Sequence, residues 1–93
     1  AKPEWWNDEG LKALSAKVVR AAPNDLVAHK MRGFVLYGQC GAWESGARSA
    51  AQLMEAATHF ERATALCPAP AGKAGLTGLA AWCRTTADGR AAM

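Results

Sequence analysis

Ala56-Ala57-Thr58-His59-Phe60-Glu61-Arg62-Ala63-Thr64-Ala65-Leu66-Cys67-Pro68 sets small residues, one large ring and a closing proline at helical intervals. Ala56, Phe60 and Ala63 fall on one face at i, i+4 and i+7, so a neighbouring helix can come close over the alanines while Phe60 fills the remaining gap. Pro68 ends the segment, because it lacks an N–H and disfavours helical geometry in Cys67. Upstream, Ser49 and Gln52 have the spacing of a capping box. The apolar stripe Leu53, Ala56, Phe60, Ala63, Cys67 therefore predicts a helix over 49–67.

Working outward, Pro68-Ala69-Pro70 forces a turn, and a further helix is expected over 71–85 with Leu76, Leu79, Ala80 and Cys83 inward and Trp82 beside them. Gly72, Gly75 and Gly78 weaken it, which predicts dependence on packing against the preceding helix or on a partner. Residues 86–93 read as a frayed tail. Toward the N-terminus, Asn24 or Asp25 caps a helix over 25–39 whose inward candidates are Val27, Met31, Phe34, Val35 and Leu36. Gly33 in its middle costs about 1 kcal/mol against alanine, which implies close approach by a neighbour. Gly41 to Arg48 has no period and reads as an ordered loop pinned by Trp43. The first helix, over 8–21, opens on Asn7 as cap with Asp8 and Glu9 at the positive end of the dipole, and Trp6 can staple onto Leu11. Leu11, Leu14 and Val18 are its apolar positions, Pro23 follows its end, and 1–6 form an arm.

The expectation is thus an all-α chain of four antiparallel helices in a single small domain over 1–93. Alanine dominates its apolar content and isoleucine is absent, so the core is thin and Trp5, Trp6, Trp43 and Trp82 must supply much of the buried area. The net charge of +3 is spread without a basic run longer than the broken cluster His29-Lys30-Met31-Arg32, which is not a nucleic-acid signature. No apolar stretch is long enough to span a bilayer. Cys40, Cys67 and Cys83 are odd in number and widely spaced, so a disulfide scaffold and a zinc site are both disfavoured and buried thiols in a reducing compartment are expected. Up-down-up helices would nevertheless bring Cys40 and Cys83 to the same end of the bundle, leaving a bond between them open. The start at Ala1 suits an excised domain or a mature form whose targeting segment has been removed.

From Pro23 to Pro68 the order of residues resembles a tetratricopeptide repeat. Ala28, Gly33 and Leu36 match its first helix after Pro23-Asn24-Asp25, and Ala56, Phe60, Ala63 and Pro68 match its second. His29 and Arg32 depart from the pattern, standing where it prefers large apolar groups, and the 41–48 loop makes the unit longer than the usual ~34 residues. The resemblance implies helical hairpins with flanking half-repeats, and a groove along the inner face of the first helix at Val27, Lys30, Phe34 and Tyr37, with Trp82 of the next helix as a further contact. A peptide or helix of a protein partner would lie there. The asparagine and added cations of chaperone-clamping repeats are missing, so chaperone docking is not expected.

No nucleophile with a base, paired carboxylates or phosphate loop is visible, and His29 and His59 lie on different helices with no partner at a recognised spacing. The function expected is non-enzymatic, with no cofactor, metal or small-molecule substrate: an interaction adaptor or a small helical subunit docking onto a larger assembly. The alternative is a nucleic-acid-binding helical repeat using Arg20, His29, Lys30, Arg32 and Arg48.

Overall fold

A computed structural model describes residues 8–38 and 48–91. The expected arm, Asn7, Cys40 and Trp43 lie outside the described residues. Four helices follow in order: α1 Asp8–Ala21, α2 Leu26–Tyr37, α3 Ala50–Leu66 and α4 Pro70–Ala91. The described chain is all-α. Each helix packs chiefly on its neighbours in sequence, α1 on α2, α2 on α3 and α3 on α4. The α2–α3 pair is antiparallel, since His29 meets His59 while Arg32, further along α2, meets Glu55, further back along α3.

Local chemistry sets the helix ends. The capping box opens α3: Gln52 N–H donates to Ser49 Oγ (3.1 Å) and Ser49 N–H donates to Gln52 Oε1 (2.9 Å). Asp25 occupies the cap position of α2 in extended geometry but makes no side-chain cap bond. α2 stops at Tyr37, two residues short of the expected 39, because Gly38 turns left-handed (φ 84°) and its N–H closes on Phe34 O (3.1 Å). Arg48 then covers the last turn of α2 from outside, donating from Nη2 to Val35 O (2.8 Å) and from Nε to Leu36 O (3.1 Å). It is buried, although it closes the stretch read from the sequence as an ordered loop and counts among the cations of the nucleic-acid alternative.

The expected frayed tail is corrected. α4 begins at Pro70, whose missing N–H costs nothing in a first turn, and runs to Ala91 rather than stopping near 85. It continues because Ala87 lies one turn beyond Cys83 on the same buried face, extending the row Leu76, Ala80, Cys83. Cys83 is a free thiol whose burial pushes its pKa up, away from reactivity.

The core is centred on α3. Leu53, Ala56, Ala57, Phe60 and Ala63 are buried there, with Leu36 from α2 and the α4 row against them. Phe60 is fully enclosed, and a Cβ placed on Gly33 would come within 2.7 Å of its Cε1 and 2.9 Å of its Cδ1. Gly33 is thus the close approach that its position implied. In α4, Gly72 is similarly tight against Cys67 Sγ (2.8 Å), whereas Gly75 and Gly78 have nothing within 4 Å. Packing on α3 does not account for those two glycines.

These environments give opposite signs for one substitution. Gly33→Ala should cost about 1–3 kcal/mol, because overpacking against the enclosed ring exceeds the helix-propensity gain. Gly75→Ala and Gly78→Ala should each stabilise by about 0.5–1 kcal/mol. Urea unfolding of the three variants measures both signs.

Candidate interaction face

α2 presents two unlike sides. Ala28, His29, Gly33, Val35 and Leu36 are buried, while Val27, Lys30, Phe34 and Tyr37, at steps of three and four, share the other side. Val27 is 67% exposed and Lys30 is exposed, whereas Phe34 and Tyr37 are half-buried. Of the inward positions expected for α2, Val35 and Leu36 are enclosed, Met31 and Phe34 are half-buried, and Val27 is exposed.

Three of the five candidate residues are brought together. Tyr37 meets Trp82 of α4 edge to face at 4.9 Å between ring centroids, and it meets Phe34 at 6.4 Å. Both Phe34 and Tyr37 stand edge-on to Phe60 of α3, at 5.2 and 6.1 Å. The rings therefore run from α2 across to α4 over a floor supplied by α3, and Trp82 remains 44% exposed. Edge-to-face contacts of this kind contribute about 0.5–1.5 kcal/mol beyond area burial and hold the rings in fixed orientations. Val27 and Lys30 do not join the ring contacts; they extend the same side of α2 toward its N-terminus.

Sequence reasoning missed the polar residues that turn inward. Arg32 donates from Nη1 to Lys12 O (2.7 Å) and Ser15 Oγ (3.0 Å) of α1, and from Nε and Nη2 to Glu55 Oε2 of α3 (both 3.2 Å), tying three helices. His29 is buried with Nε2 2.7 Å from Pro23 O and Nδ1 3.0 Å from His59 Nδ1. His59 is half-buried in this contact. The one available signal was that His29 and Arg32 interrupt the apolar pattern of the hairpin.

A surface depression lies between α3 and α4, about 140° around α4 from Trp82, lined by Glu61, Thr64, Thr77, Ala80, Ala81 and Arg84. Its two charged groups are bound to each other: Arg84 grips the Glu61 carboxylate, donating from Nε to Oε2 (3.0 Å), and holds its pKa below the ordinary value. No group of three or more His, Cys, Asp or Glu among the described residues is arranged to hold a metal ion, and no helix among them is long and apolar enough to cross a membrane. Comparison with protein-family models, with curated proteins and with solved structures found no significant match.

If the aromatic row is a surface rather than a core, Trp82→Ala should cost only about 1 kcal/mol, the worth of one edge-to-face contact. Truncating an enclosed tryptophan would cost about 3–5 kcal/mol. Chemical denaturation distinguishes the two.

Proposed function

We propose that this chain is a non-enzymatic protein–protein interaction module that receives an apolar peptide or helix of a protein partner on the α2–α4 face. The observation that carries the reading is the row Phe34, Tyr37, Trp82, half-exposed yet fixed by edge-to-face contacts of Phe34 and Tyr37 with Phe60 and of Tyr37 with Trp82, and continued by the exposed Val27. Rigid aromatic groups lose little entropy on binding and supply large contact areas, which suits them as anchors. Lys30 beside them favours a segment with a carboxylate next to its apolar anchors.

The tetratricopeptide-like reading supports the same face. In it α2 and α4 are the first helices of successive hairpins, whose inner sides line a groove, and α3 is the second helix that backs them. The chain would then act as an adaptor or as a small helical subunit of a larger assembly. The nucleic-acid alternative has less support: of its five cations, His29 and Arg48 are buried and Arg32 is spent on three helices, so only Arg20 and Lys30 stay exposed.

The test uses exposed positions so that folding is spared. Tagged wild type and Val27→Glu/Lys30→Glu are compared for capture of proteins from nuclease-treated lysate, with urea midpoints measured in parallel. A protein held by the wild type and weakened at least tenfold in the double variant, at unchanged midpoint, supports the reading. Equal retention by both moves the interface off this face, and capture by the wild type from untreated lysate that is absent after nuclease treatment favours nucleic acid.

A further inference from the structure

On the inward side of α2, His29 and His59 form a chain of contacts that counts protons. Pro23 O can only accept, so His29 Nε2, 2.7 Å away, carries a hydrogen. The two Nδ1 atoms are 3.0 Å apart and need one hydrogen between them, one ring donating and the other accepting. His59 Nε2 lies 3.3 Å from Glu55 Oε2 and must donate to that carboxylate. Three contacts take three N–H groups, one more than two neutral imidazoles possess, so the fully bonded pair shares a single positive charge. A second added proton would set N–H against N–H across 3.0 Å.

We propose that these two imidazoles are a pH-sensitive latch between α2 and α3, closed by one shared proton and opened by a second. Opening separates α2 from α3 at this point, while His29 Nε2–H still donates to Pro23 O. The proposal does not depend on what the aromatic face binds. Glu55 is the counter-charge and is itself shared with Arg32 of α2. Arg20 of α1 lines the depression on one side of His59, and Arg62 and Glu61 of α3 line the depression on the other. Arg84 of α4 neutralises Glu61. The cations around the pair thus outnumber its free carboxylates, which opposes a second charge. Burial pushes the His59 pKa below its ordinary value, against the opposing pull of Glu55.

The sign follows from linkage. Histidines of the unfolded chain take up protons near the ordinary value of 6.5, whereas the folded pair resists the second one. The contribution of the pair is therefore greatest while it holds one proton; it falls as pH drops through that value toward the second protonation, and it weakens again when pH rises far enough to remove the shared proton and leave two N–H groups for three contacts. Glu61, held below 4.5 by Arg84, loses its contribution only at lower pH, so the two windows separate.

The test compares urea unfolding of the wild type and His59→Gln at pH ~7.5 and ~5.0. The wild-type folding constant should fall roughly tenfold over this interval, and that of His59→Gln by less than about threefold, because the glutamine amide can turn its oxygen toward a protonated His29. Equal falls in both proteins overturn the proposal. Imidazole 15N titration of the wild type supplies a readout that does not need the variant to fold. Stepwise uptake, with the second proton displaced well below pH ~6.5, supports the latch; two independent titrations near that value overturn it.

Discussion

The meeting of Gly33 with the Phe60 ring is the constraint on which the remaining packing depends. With only hydrogen on Gly33, the backbone of α2 comes down onto an aromatic face that is itself fully enclosed. That approach puts His29 beside His59 and Arg32 beside Glu55, and it lets Phe34 and Tyr37 stand edge-on to Phe60. A larger residue at 33 would separate the two helices by part of a side chain and disturb all of these contacts together. In a chain whose core is mostly alanine, one ring contacted from several sides replaces the many aliphatic contacts of a richer core.

The two sides of α2 do different work. Its outward side carries the aromatic row that continues onto α4, while its inward side is unusually polar for a helix in the middle of the stack. Arg32 links α1, α2 and α3 through hydrogen bonds, and His29 ties the Pro23 turn to α3. Each inward polar group finds a partner: no buried side-chain nitrogen or oxygen among the described residues is left unsatisfied. Such networks stabilise modestly but set register, because a helix shifted by one residue would strand several donors at once. The orientation of the outward aromatic side is thereby fixed by polar bonds on the inward one.

Sequence features that act within one or two turns were legible. The Ser49–Gln52 capping box and the stripe from Leu53 to Ala63 led to α3 with its N-terminal cap and buried face, and Gly33 implied a close neighbour. What depended on distant parts of the chain was not legible. Ala87 reads as tail until α3 is seen to bury it, and Arg48 reads as loop until the carbonyls of Val35 and Leu36 are seen beside it. Of the candidate face, the four α2 positions followed from helical spacing, but the pairing of Tyr37 with Trp82 needed α2 and α4 in space. The histidine pair was invisible for the same reason, being separated by thirty residues. Nothing in the structure explains Gly75 or Gly78.

A double-mutant cycle on Gly33→Ala and Phe60→Leu tests the central constraint most directly. Leucine lacks the outer ring atoms that an added Cβ would strike, so the account predicts that the double variant is more stable than the sum of the single losses implies, by about 1 kcal/mol or more. Additivity within about 0.5 kcal/mol would contradict it, showing that α2 and α3 are not held by this contact.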